Sequence, residues 1–133
     1  MEAFASQVVV LISHLQRPSQ GSRLAHVVKG LTADYPATHI EVLDTSVVEA
    51  LQTARELEQA GKVDVFVCAG ATAAYLRKHL TRPVLAMRVG SGDLLRALGQ
   101  ARERSSQVAV LSYNHINHDL QAMAALFTIQ VQQ

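Results

Sequence analysis

The sequence is poor in cysteine and has no long apolar run. Its single cysteine, Cys68, excludes an intrachain disulfide and is typical of a reducing compartment. No apolar run approaches the ~20 residues that a membrane span needs, and the residues from Met1 to Gln7 do not have the pattern of a secretory leader. We therefore predict a soluble, cytoplasmic protein with no membrane contact.

An excess of charge of one sign is also missing. The 12 basic and 11 acidic residues are scattered along the chain, and the net charge is +1. Binding to a phosphate backbone requires a concentrated positive field, so we predict no nucleic-acid contact by this segment. With 49% apolar residues among 133, the chain can bury a packed core.

Several catalytic and cofactor motifs are absent. The sequence has no dinucleotide fingerprint, no phosphate loop of the G-x-x-x-x-G-K-[ST] type and no G-x-S-x-G nucleophile turn. A receiver domain needs carboxylates at strand ends to hold Mg²⁺, but the first predicted strand ends in Ser13-His14, and Asp64 begins its strand. We predict no cofactor, no metal and no catalytic residue.

Strand-like and helix-like segments alternate along the whole chain. The predicted strands are 7–13, 39–43, 64–69, 84–89, 107–112 and 128–131, and the predicted helices are 24–31, 46–61, 72–80, 91–104 and 117–126. Such alternation indicates an α/β fold, with a parallel sheet sandwiched by helices in a Rossmann or flavodoxin-like lobe. Ser46 and Glu49 have capping-box spacing, and Gly61 is suited to the left-handed position after the second helix.

The strand pattern suggests more than one lobe. We expect residues 1–106 to form a complete first lobe with four strands, and residues 107–133 to form a truncated part of a second, similar lobe. A single six-stranded sheet is the alternative. An incomplete second lobe would leave apolar helix faces and a strand edge uncovered between Ser112 and Val131, so we expect a homodimer.

Polar residues follow the predicted strands at their carboxyl ends, which is where open α/β sheets bind ligands. The apolar run from Val63 stops at Gly70 and opens onto a helix start that favours an anion. We predict a ligand site from Ser13, His14, Arg17, Gly70, Ala71, Thr72, Arg88, Ser91, Gly92, Asp93, Ser112, Tyr113, Asn114 and His115. Hydroxyls, amides and guanidinium groups suit a small carboxylate.

Each of these features also has a structural interpretation. Polar loops with glycine and serine can serve turn geometry alone, and the Asp93 carboxylate suits the first turn of its helix. Cys68 could be the nucleophile of a racemase-like enzyme that acts on a small carboxylic acid, but such enzymes need two thiols. A lone cysteine in an apolar strand is more typical of a core residue.

Five stretches carry a family resemblance. They are Cys68 to Arg77, Arg82 to Arg88, Gly92 to Leu95, Ser105 to Val110, and Ser112 to Asn114. In their order they resemble the N-terminal sensor domain of the propionate-catabolism activators, which are sigma-54-dependent transcriptional regulators. The likeness is strongest from Val63 to the C-terminus.

The resemblance implies an effector-binding domain of two α/β lobes, followed by an AAA+ ATPase and a helix-turn-helix domain in the full-length protein. It implies a small carboxylate effector, 2-methylcitrate in the propionate regulators, whose binding relieves restraint of the ATPase. The sequence departs from the family at Ala71-Thr72-Ala73, which replaces a Ser-Asn-Gly succession, and at Arg88 to Asp93, which keeps the cation and carboxylate but loses an aromatic ring.

Overall fold

The protein is described by a computed structural model that covers residues 6–14, 22–111 and 120–132. The chain divides into two compact units, Met1–Arg88 and Val89–Gln133. No helix within these described ranges is long and apolar enough to cross a membrane.

The first unit is a four-stranded parallel sheet with helices on both faces. Its strands follow the order β2-β1-β3-β4. In chain order its elements are β1 (Gln7–His14), α1 (Arg23–Leu31) with a 3₁₀ turn (Thr32–Asp34), β2 (His39–Ser46), α2 (Val47–Gln59), β3 (Val65–Ala69), α3 (Gly70–Leu76) and β4 (Val84–Met87). The predicted α/β class with a parallel, helix-covered sheet is therefore confirmed.

The two faces of this sheet pack against different helices, because successive side chains of a strand point to opposite faces. Val9 and Leu11 of β1 pack with Phe66 and Cys68 of β3, and with residues of α2 and α3. The intervening Val10 and Ile12 pack with Ala25 of α1 on the other face. Thus α1 lies on one side of the sheet, and α2 and α3 lie on the other.

The predicted helix signals of α2 are present at both ends. Ser46 Oγ accepts the Glu49 N–H at 3.2 Å, and the Glu49 carboxylate accepts the Ser46 N–H at 3.3 Å, which completes the capping box. At the other end Gly61 has φ of 65°. Its N–H donates to Glu58 and the next N–H donates to Leu57, so the last carbonyls of α2 are satisfied by a Schellman motif.

Two side chains hold the segment that joins α3 to β4. The Glu58 carboxylate accepts the backbone N–H groups of Thr81 at 2.8 Å and Arg82 at 2.6 Å. These bonds, that of Arg82 above all, lower the pKa of Glu58. On the neighbouring helix, Arg77 donates its Nε–H to the Val84 carbonyl at 2.8 Å.

The second unit contains α4 (Ser91–Arg102), β5 (Gln107–Ala109), α5 (Leu120–Leu126) and β6 (Gln130–Gln132). β5 and β6 pair in parallel, separately from the four-stranded sheet. Leu98 of α4 packs with Leu120, Ala124 and Ile129, which places α4 in this unit. The predicted first lobe of residues 1–106 included this helix, whereas the division of the chain after Arg88 does not.

Element ends differ modestly from the predictions. α3 begins at Gly70 and ends at Leu76, whereas residues 72–80 were predicted, because Arg77 to Leu80 form a tighter turn that bonds back to residues 73–76. β4 ends at Met87 instead of Val89. The predicted start of the last helix at Asn117 lies outside the described residues.

Candidate functional site

The carboxyl ends of β1 and β3 lie side by side at the centre of the sheet. From β1 the chain crosses to β2 at one edge, and after β3 it continues to β4 at the other edge. Strand order therefore reverses between β1 and β3, and such a switch point is where open α/β sheets hold ligands. Ser13 and His14 end β1, and Gly70 begins α3 directly after β3.

Two hydroxyl groups contact each other at this switch point. Ser13 Oγ lies 2.6 Å from Thr72 Oγ1, so a hydrogen bond joins the carboxyl end of β1 to the first turn of α3. Thr72 is buried at 8% exposure, whereas Ser13 is half-buried. The pair has two O–H hydrogens and uses one in the mutual bond, which leaves one donor for another acceptor.

Three further predicted residues of the first unit belong to the same edge of the sheet. Gly70 and Ala71 are exposed, and no atom lies within 4 Å of the position that a Cβ on Gly70 would occupy. Arg88 is exposed and directly follows β4, the neighbour of β3. An accessible backbone turn, a hydroxyl donor and a guanidinium group thus follow three adjacent strands.

His14 reaches the opposite side of β1 and contacts Asp44. Its Nε2 lies 2.6 Å from Asp44 Oδ1, and both atoms are shut off from solvent. The other Asp44 oxygen accepts the backbone N–H of Ser22 at 2.8 Å, and Ser22 Oγ in turn caps α1 by accepting the Ala25 N–H at 3.1 Å. Asp44 therefore joins the ends of β1 and β2 to the start of α1.

The sequence reasoning did not name Asp44. Its position could have predicted a place at the site, because Asp44 comes directly after the predicted strand 39–43 and so belongs to the same sheet edge as the other polar residues. Its partner, however, is a histidine on another strand, and strand order cannot be read from the pattern of alternation alone.

Ser91, Gly92 and Asp93 belong to the second unit, where they begin α4, and all three are exposed. Asp93 Oδ2 accepts the Gly90 N–H at 3.0 Å, so this carboxylate caps its own helix. The structural role considered for Asp93 is therefore present. Contact of these residues with a ligand stays a prediction.

The remaining predicted site residues lie outside the described part of the chain. They are Arg17, Ser112, Tyr113, Asn114 and His115. The described structure thus brings together Ser13 and Thr72 in direct contact, places His14, Gly70, Ala71 and Arg88 at the same sheet edge, and has Ser91 to Asp93 in the other unit.

Cys68 lies in the core of the first unit and not at the site. Its side chain has no exposed surface, and burial raises its pKa to about 11. A thiol in this state is neither ionised at neutral pH nor accessible to a substrate. The racemase-like alternative therefore lacks the nucleophile on which it depends.

A surface groove of about 620 Å³ lies between β2 and α2, away from the Ser13–Thr72 pair. Its lining includes the carboxylates of Asp44, Glu49 and Glu56. Carboxylates repel an anion, so this groove does not match the predicted carboxylate site in charge. Within the described ranges, no group of three or more His, Cys, Asp or Glu side chains could hold a metal ion.

Comparisons with known proteins agree with this fold. A crystal structure of an NtrC family transcriptional regulator from Clostridium acetobutylicum is similar to the chain, with a TM-score of 0.73 and 22% sequence identity. The similarity covers 96% of this chain and 63% of that one, so the chain spans less than two thirds of the regulator's solved length.

The sequence of the chain also matches a family model. The model describes the propionate catabolism activator, and its match covers residues 36–133, which is most of the chain. The match includes all five stretches on which the resemblance was based, and that resemblance is confirmed. The chain accordingly belongs to the propionate catabolism activator family.

Proposed function

We propose that this chain is the effector-sensing region of a cytoplasmic, sigma-54-dependent transcriptional activator, and that its effector is a small carboxylate bound at the switch point between β1 and β3. The family is one of activators, which supports regulation and not catalysis. The observation that carries the proposal is the Ser13–Thr72 contact, since it brings two predicted site residues from distant parts of the sequence to the place where this fold binds ligands.

The chemistry of this sheet edge suits an anion with several oxygens. The Ser13–Thr72 pair retains one O–H donor, and the exposed Arg88 offers a forked guanidinium group. The open space above Gly70 allows a ligand to approach the backbone closely. The resemblance to the propionate activators supports a tricarboxylate such as 2-methylcitrate as the effector.

In the full-length activator, effector binding would relieve restraint of a downstream AAA+ ATPase that precedes a helix-turn-helix domain. A ligand shifts such an equilibrium only by its differential affinity for the two states. We therefore expect the effector to bind the active arrangement more tightly than the restrained one.

Isothermal titration calorimetry with 2-methylcitrate and citrate tests the proposal directly. Arg88→Gln should weaken binding roughly tenfold, because a hydrogen bond to a charged group contributes about 1.5–3 kcal/mol. Arg55→Gln is the matched control, because it removes an equally charged side chain from α2, away from the sheet edge. No heat and no thermal stabilisation at millimolar ligand would exclude carboxylate sensing.

A homodimer is the second part of the proposal. α1 exposes Leu24, Val27 and Leu31, which recur at helical spacing and are about half exposed. Unpartnered apolar side chains of this kind favour self-association. Sedimentation at tens of micromolar should show a dimer, and Val27→Glu should convert it to a monomer. A monomeric wild type would contradict this part alone.

A further inference from the structure

Strand β2 forms one edge of the four-stranded sheet. It stands at the end of the strand order β2-β1-β3-β4, so within the described part of the chain no strand lies beyond it. His39 donates its N–H toward β1, to the Ser6 carbonyl. The backbone groups of successive residues in a strand point to opposite sides, so Ile40 and Val42 direct their N–H and C=O groups away from β1. An edge of this kind is a template for pairing with another chain.

The groove of about 620 Å³ between β2 and α2 runs along this edge. One wall is the β2 segment 42–45, and the other is a stripe of α2 with residues 49, 52, 53 and 56. Four residues of strand span roughly 13 Å, and seven residues of helix rise roughly 10 Å, so the two walls have similar lengths. The groove is therefore as long as about four residues of an extended peptide.

The side chains along the groove are acidic. Glu49 and Glu56 line it from α2. Glu41 of β2 is exposed and, by the alternation of side chains along a strand, points to the same side of the sheet as Leu43, which packs toward α2. Between residues 32 and 54 the sequence has no Lys or Arg. A ligand that matches this groove in charge is therefore basic.

We propose that the groove binds an extended basic segment of a partner protein, which adds to the sheet as a further strand beside β2. The outward backbone groups of Ile40 and Val42 pair with the backbone of the added strand. Its side chains alternate, so lysine or arginine faces the carboxylates on the α2 side, and apolar side chains face the side on which Ile40 and Val42 lie. The groove lies apart from the Ser13–Thr72 pair, so this interaction does not depend on the effector.

The charge of the groove disfavours a second copy of this chain as the occupant. Pairing of β2 with the β2 of another copy would bring two sets of the same carboxylates together, which is repulsive. The opposite edge of the sheet is protected differently, because Arg77 donates its Nε–H to the outward Val84 carbonyl at 2.8 Å. Among the described residues, no side chain makes such a bond to the backbone of Ile40 or Val42.

The probe for this surface is a capped peptide of about six residues that alternates lysine and valine. It should slow hydrogen exchange at the Ile40 and Val42 amides and leave the Leu43 amide, which already faces β1, unchanged. A peptide that alternates glutamate and valine should bind at least about tenfold more weakly, because its charge has the same sign as the groove. A lysine–valine peptide methylated at every backbone nitrogen keeps the charge but cannot donate to β2, and it should lose at least about tenfold in affinity.

Two variants locate the binding surface on the protein. Glu56→Lys should weaken binding of the lysine–valine peptide about fivefold, because attraction becomes repulsion. Glu103→Lys is the matched control, since it reverses the charge of an exposed glutamate at the end of α4, and it should change affinity less than about twofold. Val42→Pro removes the outward N–H but no bond to β1, so the sheet should be retained and peptide binding lost.

Two outcomes would overturn the proposal. Equal affinity of the parent and the N-methylated peptide would exclude strand addition, because attraction by charge alone needs no backbone donor. Protected Ile40 and Val42 amides in a peptide-free dimer, detected by sedimentation, would show a second copy at this edge instead of a basic partner. The peptide comparisons use the wild-type protein, so they decide the question even if Val42→Pro does not fold. Citrate binding is measured separately, and its failure would affect the proposed function alone.

Discussion

Ser13 and Thr72 join the end of β1 to the first turn of α3 through a hydroxyl contact of 2.6 Å. The two residues lie on either side of the point where strand order reverses, so the contact defines the spacing of the two strand ends. The contact gives the pair a structural role, and the proposed function adds a binding role; the two roles can be tested separately.

Thr72→Val removes the hydroxyl while keeping the branched shape of this buried side chain. We expect a loss of about 1 kcal/mol in the free energy of unfolding, since a typical hydrogen bond contributes that much. Citrate affinity should fall roughly tenfold, because the remaining Ser13 hydroxyl is no longer oriented. Urea unfolding followed by circular dichroism, together with calorimetry, measures both. Thr72→Ser keeps the hydroxyl and should retain most of the stability and most of the citrate affinity. Equal losses of stability and affinity in Thr72→Val and Thr72→Ser would contradict the role of the hydroxyl.

The fold could be predicted closely because its signals are local. Alternation of apolar and amphipathic segments indicates each strand and helix, and the capping box at Ser46 and the glycine at position 61 fix the two ends of α2. The prediction that the chain is not an enzyme is confirmed by its membership of an activator family.

The rest depends on contacts between residues distant in sequence. α4 has an apolar face typical of a helix that covers a sheet. Its placement, however, depends on the packing of Leu98 against Leu120 and Ile129, and hydrophobic periodicity does not predict which distant residues a helix packs against. Likewise, Ser13 and Asp44 were both at strand ends, but only the strand order β2-β1-β3-β4 brings Asp44 to His14 and Thr72 to Ser13.

Gly61 and Gly30 form a matched pair of glycines. A Cβ would meet no atom within 4 Å at either position, but only Gly61 has a positive φ, of 65°. Gly61→Ala should therefore destabilise the protein by about 1 kcal/mol through backbone strain. Gly30→Ala lies within α1 and should instead stabilise it by about 0.5–1 kcal/mol. Urea midpoints that move in the same direction for both variants would contradict this account of Gly61.

Glu58 should make stability depend on pH. Its hydrogen bonds to Arg82 and Thr81 lower its pKa in the folded chain from the usual 4.5, so the folded state binds fewer protons than the unfolded state as the pH falls. The stabilisation is fully present above pH 4.5 and is lost as the pH falls through the lower folded value.

Glu58→Gln should reduce this acid dependence and should cost about 1 kcal/mol at neutral pH, because an exposed carboxylate that accepts backbone N–H groups contributes modestly. Urea unfolding at a series of pH values between neutral and acid checks both effects. Glu56→Gln is the control, since Glu56 lies on the same helix and accepts a hydrogen bond from the Gln52 side chain, not from a backbone N–H of the segment that joins α3 to β4. Parallel pH profiles for the wild type and Glu58→Gln would contradict the role of Glu58.

Cys68 should resist alkylation in the folded protein. Its side chain is fully buried in the cluster with Phe66 and Leu76, and burial raises its pKa to about 11, so both access and ionisation are unfavourable. Iodoacetamide at pH 8 should label Cys68 slowly under native conditions and rapidly in urea, with mass spectrometry as the readout. If native Cys68 is labelled as fast as in urea, the thiol is accessible and the racemase-like alternative is restored. If labelling is slow and the protein still binds citrate, binding does not depend on a reactive Cys68 thiol.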